Sequence, residues 1–278
     1  MDIYGQLSPS QTLELLKRLE HAPVKKLGQN FLVDSNIVRK SLELADVRSG
    51  DDVVEVGPGL GTLSGALLQA GAKVHAVELD KTLHAFLKEH FAQVKEFSII
   101  NADAIDYPLA NLPKDVTEFK IVANLPYAIS TPWLDKVLSG RLPSRMSLML
   151  QKEAALRFAA VGGTKEYTPI SICLPEAYDV YARHKVSSVC FHPRPAVDSV
   201  LLALIRKDVP FVFKTKTKEI MRYVFSKRRK QILSIAKSAG EFSEILLQWL
   251  DVDKNLSADV RPERIDASHW RLLDDIVK

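Results

Sequence analysis

Short apolar stretches alternate with segments of helical periodicity between residues 52 and 150. The apolar stretches predict β-strands at Asp52–Val56, Lys73–Leu79, Phe97–Asn101, Lys120–Ala123 and Met146–Leu150. Helices are predicted between them at Thr62–Ala70 and Lys81–Phe91. Strands separated by helices are typical of a parallel sheet with both faces covered. The pattern therefore predicts an α/β fold with a doubly wound sheet.

The chain on either side of this region shows other patterns. Leucines at helical spacing predict a short amphipathic helix from about Pro9 to His21, and a second helix is predicted to begin near Asp34 or Ser35. Two or three later β-like stretches, at Ile170–Leu174, Tyr178–Val186 and Val200–Ile205, predict a sheet edge with an antiparallel hairpin. From about Thr215 the periodicity predicts only helices, at Lys218–Val224, Lys230–Ser238, Phe242–Trp249 and Ala267–Ile276.

The change to purely helical periodicity predicts a domain boundary near residues 207–212. A chain of 278 residues suits one large domain with an appendage. We predict a large α/β domain at residues 1–209, including an N-terminal helical extension at 1–24, and a small all-helical domain at 210–278.

Composition and charge limit the classes of protein without selecting one. The formal net charge of +4 permits a polyanionic partner but does not establish one. No apolar run approaches the roughly 20 residues that a membrane span needs. Cys173, Cys190 and the histidines show no metal-ligand spacing, and the two cysteines have no disulfide framework around them. We expect a cytoplasmic, monomeric protein without a metal site.

The first predicted strand runs into the glycine turn Gly57–Gly61, which opens a helix. Its spacing departs from the dinucleotide fingerprint because the third glycine comes one residue early and Thr62 fills the expected site. Taken alone, such a turn is also compatible with an ordinary strand–helix connection. The candidate cofactor contacts in it are Gly57, Gly59 and Gly61.

Acidic residues lie at the ends of the next two predicted strands. Glu78 lies about 20 residues after Gly57, where a carboxylate can accept from both ribose hydroxyls of a nucleoside bound across the turn. Asp103, with Ala104 beside it, is placed to accept from an adenine amino group. An isolated acidic residue is more often a helix cap. The combination with the glycine turn predicts a nucleoside site.

The fourth predicted strand ends in Asn124-Leu125-Pro126-Tyr127. The N6 amine of adenine is a poor nucleophile because its lone pair is delocalised into the ring. The side-chain oxygen of Asn124 and the carbonyl of Leu125 can accept its two N–H bonds and orient the lone pair towards a methyl donor. Pro126 stiffens the turn, and Tyr127 offers a face on which an extruded base can stack. Alone, this tetrapeptide is also compatible with an ordinary turn.

Four segments together resemble the ribosomal RNA adenine dimethyltransferase family. They are Gln29–Leu32, Glu55–Gly61, Asn124–Tyr127 and the proline-rich stretch Phe191-His192-Pro193-Arg194-Pro195-Ala196-Val197-Asp198-Ser199. The resemblance covers roughly residues 20–206 and is nearest to the bacterial small-subunit enzymes associated with kasugamycin sensitivity.

The resemblance implies a seven-stranded Rossmann-like methyltransferase sheet and S-adenosylmethionine as methyl donor, with S-adenosylhomocysteine as product. It implies cofactor contacts from Asn30, Leu32, Gly57, Glu78, Asp103 and Asn124. Phe191 matches the position whose ring forms the second face around the target base. The implied substrate is a pair of adjacent adenosines near the 3′ end of small-subunit (16S) RNA in an assembling particle, each receiving two methyl groups.

Basic residues are concentrated at the start of the predicted helical domain, between Lys214 and Lys230, and in the Lys25-Lys26 pair. The candidate RNA contacts are Lys25, Lys26, Arg222, Lys227, Arg228, Arg229 and Lys230. Such clusters can bind phosphates with salt-dependent affinity, although a charge run is equally compatible with a solvated helix face.

Two alternatives to a small-subunit dimethyltransferase remain. One is a large-subunit adenine dimethyltransferase of the macrolide-resistance type, which shares the cofactor loop and a similar tyrosine turn. The other is a non-catalytic RNA-binding assembly or transcription factor on the same fold. The Asn-Leu form of the turn favours the small-subunit class, and the intact candidate site argues against a binding-only protein.

Overall fold

The computed structural model describes residues 7–24 and 27–278. Its strands are β1 (Phe31–Leu32), β2 (Asp52–Val56), β3 (Lys73–Glu78), β4 (Phe97–Asn101), β5 (Lys120–Asn124), β6 (Arg145–Gln151), β7 (Tyr178–Val186), β8 (Phe191–His192) and β9 (Ser199–Arg206). Its helices are α1 (Pro9–Arg18), α2 (Ser35–Leu44), α3 (Thr62–Gln69), α4 (Lys81–His90), α5 (Ser130–Val137), α6 (Lys152–Phe158), α7 (Pro169–Ala177), α8 (Thr215–Ser226), α9 (Ile232–Lys237), α10 (Ser243–Val252) and α11 (Ala267–Ile276).

Seven strands form one mixed sheet in the order β4-β3-β2-β5-β6-β9-β7. The pairs from β4 to β6 are parallel, and β9 is antiparallel to β6. Most residues of β2 and β6 are buried, as expected for strands covered on both faces. The predicted doubly wound, seven-stranded Rossmann-like sheet is therefore confirmed. Its strand order reverses between β2 and β5, the position where open α/β sheets bind ligands at the carboxyl ends of their strands.

A second, two-stranded sheet ties the loop before α2 to the proline-rich stretch. Its strands, β1 and β8, are antiparallel, with Phe31 opposite His192 and Leu32 opposite Phe191. Successive side chains of a strand point to opposite faces. Leu32 accordingly joins the main core, whereas Phe31 packs with Leu15 and Leu16 of α1. The N-terminal helix is thereby anchored to the loop that precedes α2.

The predicted strand at Ile170–Leu174 is wrong, because these residues lie in α7. The helix is started by a capping box between Thr168 and Ser171, with Pro169 at its first position. Every residue from Ile170 to Leu174 is buried. A run that is apolar all round does not distinguish a buried helix from a buried strand by periodicity.

The chain divides into two compact units. The sheet unit contains the described residues up to Ala155 together with Asp179–Arg206, and the helical unit contains Leu156–Tyr178 and Lys207–Lys278. Residues 156–178 thus group with the C-terminal helices, although the sequence pattern had placed them in the large domain. Within the helical unit, the Tyr167 hydroxyl donates to the carbonyl of Ile265 and helps to hold this early segment to the late one.

The four helices predicted after Thr215 correspond to α8 to α11 and are confirmed. Trp249 and Trp270 form the centre of their core, with ring centroids 4.9 Å apart. Within the described ranges, no helix combines the length and the apolar character that crossing a bilayer requires.

Candidate active site

A cavity lies in the sheet unit at the carboxyl ends of β2, β3, β4 and β5. Its empty space, counted together with the opening to solvent, is about 1070 Å³. The predicted site residues that line it are Asn30, Leu32, Gly57, Gly59, Glu78, Asp103, Ala104, Asn124, Leu125, Pro126 and Tyr127. The strand-end carboxylates and the Asn124–Tyr127 turn therefore face one cavity, as the sequence interpretation requires.

The glycine turn forms one wall of the cavity. Gly59 has a φ of +62°, and a Cβ there would lie 3.0 Å from the Phe31 ring, so a side chain would have to displace that ring. Gly61 does not line the cavity. It precedes α3 with a φ of +83°, and a Cβ there would come within 2.7 Å of Leu87. The structure thus gives Gly61 a role in helix packing rather than the predicted cofactor contact.

Glu78 ends β3 with only 6% of its surface exposed. Its Oε2 accepts from the backbone N–H of Gly59 at 3.1 Å, and its Oε1 accepts from that of Asp80 at 2.9 Å. Burial raises the pKa of this carboxyl, and the two backbone donors oppose the shift. These bonds fix the orientation of the carboxylate, and each oxygen retains capacity to accept from a ligand.

Asp103 and Ala104 form the adjoining wall after β4. The Oδ1 of Asp103 accepts from the backbone N–H of Ile105 at 2.8 Å, which holds the side chain in a tight turn. The backbone N–H of Ala102 donates to the Glu78 carbonyl at 3.2 Å. A backbone hydrogen bond therefore joins Glu78 directly to the residue that precedes Asp103.

Glu55, the penultimate residue of β2, lines the cavity but is not among the residues predicted from the sequence to bind a ligand. It is 1% exposed, and its Oε2 accepts from the Ser64 hydroxyl at 2.6 Å. Its Oε1 has no hydrogen-bond partner among the described residues. Burial raises the pKa of this carboxyl to about 8, against a counteracting hydrogen bond from Ser64. An acidic residue between the apolar residues Val54 and Val56 of this strand was the available signal.

Replacing Glu55 with Gln is expected to flatten the pH dependence of stability. The folded protein keeps the proton up to about pH 8, whereas an ordinary carboxyl loses it near 4.5. The contribution of this carboxyl to stability is therefore fully present below about pH 4.5 and is lost as the pH rises from there through about 8. The free energy of unfolding is measured in urea at pH values from about 5 to about 9. Over this range, that of the wild type should fall by a few kcal/mol more than that of Glu55→Gln. Glu96→Gln, at an exposed position, is the control; parallel curves for wild type and Glu55→Gln would contradict the expectation.

The loop before β1 covers the cavity from the other side. The Gln29 side chain accepts from the backbone N–H of Val24 at 2.8 Å and donates to Asp80 Oδ2 at 3.0 Å. Asn30 donates from Nδ2 to the Gly28 carbonyl at 3.0 Å. These bonds hold the loop beside the glycine turn. The predicted RNA contacts Lys25 and Lys26 lie outside the described residues.

Asn124, the last residue of β5, is held by this loop. Its Nδ2 donates to the carbonyl of Asn30 at 2.8 Å. The amide nitrogen thus has a backbone partner, so the side-chain oxygen is the atom left to accept from a ligand. The following turn packs on the glycine turn, since a Cβ at Gly57 would lie 3.5 Å from Cδ of Pro126.

Tyr127 completes the turn and is partly buried. Its hydroxyl lies 3.0 Å from the Oγ of Ser199, the first residue of β9. Burial raises the pKa of the phenol, and the hydrogen bond with Ser199 opposes this shift. The ring is thus held at both ends, by the backbone of the turn and by the sheet.

Phe191 lies in the core and not in the cavity wall. It is 4% exposed and packs in the main hydrophobic cluster with Leu32, Val186 and Cys190. The pairing of β8 with β1 directs Phe191 and Leu32 to the same side. The predicted second face of a base sandwich is therefore not presented to the cavity in this arrangement.

The basic cluster of the helical unit is only partly available to solvent. Arg222, Lys227, Arg229 and Lys230 are exposed. Arg228 instead donates to the Lys165 carbonyl at 2.8 Å and pairs with Glu263 at 3.9 Å. Lys218 is 2% exposed, and Lys214 donates to the carbonyls at the end of α11. Arg228 therefore contributes to the packing of the unit, and its predicted contact with RNA stays a prediction.

The cavity walls fit a positively charged nucleoside. Bare glycine backbone permits close approach, and Glu78 and Asp103 supply acceptors for hydroxyl and amino groups. A polar group of a ligand at the unpartnered Oε1 of Glu55 would remove the cost of burying that atom without a hydrogen bond. Within the described residues, no group of three or more His, Cys, Asp or Glu side chains is placed to hold a metal ion.

Known proteins resemble this chain in sequence or in fold. The ribosomal RNA small subunit methyltransferase A of Opitutus terrae is 53% identical over 272 residues, covering 96% of this chain and 98% of the relative. A dimethyladenosine transferase structure from Plasmodium falciparum matches with a TM-score of 0.70 at 26% identity, covering 87% of this chain and 95% of that one. The 23S rRNA methyltransferase ErmE shares the fold, with a TM-score of 0.59 at 22% identity over 89% of this chain and 99% of its own.

The family match spans both units. Residues 21–262 match the profile of the family described as ribosomal RNA adenine dimethylase. That range contains every residue that lines the cavity, from Leu27 to Ile129. With a match of this extent and a relative that is more than half identical over nearly the whole chain, the protein belongs to the ribosomal RNA adenine dimethylase family of methyltransferases.

Proposed function

We propose that the protein transfers methyl groups from S-adenosylmethionine to N6 of two adjacent adenosines near the 3′ end of small-subunit (16S) ribosomal RNA. The products are N6,N6-dimethyladenosine and S-adenosylhomocysteine, formed during ribosome biogenesis in the cytoplasm. The observation that carries the proposal is the fixed amide of Asn124. Its nitrogen is bonded to Asn30, so its oxygen is left to accept from an amine, and it lines the same cavity as Glu78.

The cavity residues have distinct roles in this reaction. Glu78 accepts from the ribose hydroxyls of the cofactor, and Asp103 accepts from its adenine amino group. Asn124 and the Leu125 carbonyl accept from the N6 amine of the target base, while Tyr127 stacks on its ring. Bound S-adenosylmethionine supplies a methyl group activated by positive sulfur, so a strong general base is not required.

Each transfer is balanced at the N6 nitrogen. The nitrogen lone pair forms the new C–N bond as the methyl C–S bond breaks, and the S–C electron pair remains on sulfur. The positive charge passes to nitrogen, which then loses one proton to solvent. The Asn124 and Leu125 oxygens favour the transition state because their hydrogen bonds strengthen as positive charge develops on the amine. Repetition on the same nitrogen replaces its second hydrogen and yields the dimethylated base.

The small-subunit RNA is favoured over the large-subunit alternative by the relatives' names. The relative that is 53% identical is named for the small ribosomal subunit. The likeness to ErmE, at 22% identity, supports only the shared fold. A binding-only protein would leave the cavity and the fixed Asn124 amide without a use.

The exposed basic residues of the helical unit are proposed to contact RNA phosphates. Changing Arg222, Lys227, Arg229 and Lys230 together to Gln is expected to weaken binding to immature small subunits and to lower its salt dependence. Each lost phosphate contact should reduce the slope of log K against log salt by about 0.7 to 0.9. Lys254→Gln, at an exposed pair with Asp251, is the control. An unchanged slope would exclude these side chains as contacts.

The function is tested by mapping methylated bases. Purified protein, labelled S-adenosylmethionine and immature small subunits are incubated, and the modified positions are located by primer extension and mass spectrometry. We expect two adjacent dimethylated adenosines near the 3′ end of the small-subunit RNA. Label in large-subunit RNA would support the macrolide-resistance type instead. Absence of label from protein that binds the cofactor normally would reject methyl transfer to this substrate.

A further inference from the structure

The Tyr127 hydroxyl has a buried partner in a distant part of the chain. Ser199 is 1% exposed, and its Oγ lies 3.0 Å from the Tyr127 oxygen. Either hydroxyl can be the donor in this pair. A buried hydroxyl without such a bond would carry a desolvation cost, so the two groups satisfy each other.

Ser199 is held firmly by its surroundings. It begins β9 opposite Gln151 of β6, and β6 also pairs with β5, which carries Asn124. The preceding residue, Asp198, accepts from the Lys152 amide at its carbonyl and from the Ser188 amide at its side chain. The Ser199 hydroxyl is therefore a fixed point in the sheet, connected to the strand of Asn124 through one intervening strand.

Tyr127, by contrast, lies in a turn beyond the end of β5. Two side-chain torsions set the plane of its ring, and the turn backbone by itself leaves them free to change. A hydrogen bond from the far end of the ring to a fixed hydroxyl restricts both torsions. An ordinary tyrosine phenol is neutral at physiological pH, and partial burial raises the pKa of this one further, so its hydroxyl can both donate and accept.

We propose that Ser199 is a positioning residue for methyl transfer: its hydroxyl holds the Tyr127 ring at the angle on which the target adenine must stack to present N6 to Asn124. This inference rests on the proposed function, since it requires that Tyr127 stacks on the base. It also assigns a role to the Val-Asp-Ser end of the proline-rich stretch, whereas the Phe191 end packs in the core.

The expected signature is a loss of turnover without a loss of binding. Ser199→Ala removes only the hydroxyl, so the cavity wall near Glu78 and Asp103 is unchanged. Misplacement of a reacting group by about 1 Å can reduce a rate by about 100-fold, and a released ring should cost about 10- to 100-fold in kcat. The KM for RNA and the Kd for S-adenosylhomocysteine should change less than about twofold.

The test is a double-mutant cycle with Ser199→Ala, Tyr127→Phe and the two combined, measured by single-turnover methylation. Tyr127→Phe keeps the ring face but removes the same hydrogen bond. If the bond is what matters, each single change slows the reaction similarly and the double variant is no slower than either. Ser199→Thr, which restores a hydroxyl, should recover most of the rate. Thermal unfolding and S-adenosylhomocysteine titration confirm that each variant is folded.

Three outcomes overturn the proposal. Ser199→Ala at the wild-type rate would show that the hydroxyl does not act in the reaction. Fully multiplicative losses in the double variant would show that the two side chains act independently. A rise in KM or Kd with unchanged kcat would assign Ser199 to binding. The variant Tyr127→Ala separates the positioning role from the proposed function. If it is fully active, Tyr127 does not stack on the base. If it is slow while Ser199→Ala has the wild-type rate, only the positioning role is rejected.

Discussion

Asn124→Ala is expected to lower kcat about 100- to 1,000-fold. The change removes an acceptor aimed at the amine on which positive charge develops, and loss of one such preorganised group costs that much in other enzymes. It also removes the bond from Nδ2 to the Asn30 carbonyl, which orients the side chain. The rate is measured as single-turnover methylation of immature small subunits at saturating S-adenosylmethionine.

Two further variants sharpen this experiment. Asn111→Ala, at an exposed position in the loop after β4, should retain the wild-type rate and serves as the matched control. Asn124→Asp keeps an acceptor oxygen but cannot donate to the Asn30 carbonyl, so it separates the acceptor from its orientation. A wild-type rate for Asn124→Ala would mean that this side chain does not grip the amine.

Glu78→Ala is expected to raise the Kd for S-adenosylmethionine and S-adenosylhomocysteine by about 100-fold or more. Two ribose hydroxyls donating to one carboxylate are each worth about 1.5–3 kcal/mol, which corresponds to at least that loss. The turn also loosens, because the amides of Gly59 and Asp80 lose their acceptor. Calorimetric titration with S-adenosylhomocysteine measures the effect directly.

The controls for Glu78 distinguish binding from folding. Glu89→Ala, on the exposed side of α4, should bind normally. Glu78→Gln preserves the size of the side chain and should weaken binding less than Ala, since one oxygen can still accept. At cofactor concentrations well above the new Kd, kcat should return close to the wild-type value. Unchanged affinity in Glu78→Ala would remove the carboxylate from the cofactor site.

Local patterns predicted the sheet unit well because its strands and helices differ in period and are separated by clear breaks. The pairs β2–α3 and β3–α4 begin and end within one residue of their predicted limits. The carboxyl ends of parallel strands lie at one edge of a sheet. The sequence positions of Glu78, Asp103 and Asn124 were therefore sufficient to predict that the three side chains line one cavity.

The segment from residue 156 to residue 178 was less predictable. The run at Ile170–Leu174 is buried on every side, so it carries no periodicity from which to choose a helix. Its membership in the helical unit depends on contacts such as that of Tyr167 with Ile265, nearly a hundred residues later in the chain. No local sequence pattern predicts a contact between residues so far apart in the chain.

The sequence by itself determined the fold class, the strand-end carboxylates, the asparagine turn and the family, because each depends on residue types at short spacing. Only the tertiary structure decided what Glu55, Gly61, Arg228, Phe191 and Ser199 contact. The partners of these side chains come from other strands, helices or loops, such as Leu87 beside Gly61, Lys165 beside Arg228 and Tyr127 beside Ser199. Burial and hydrogen bonding between separate segments arise from packing, and the same residue types at the same spacing would permit other partners.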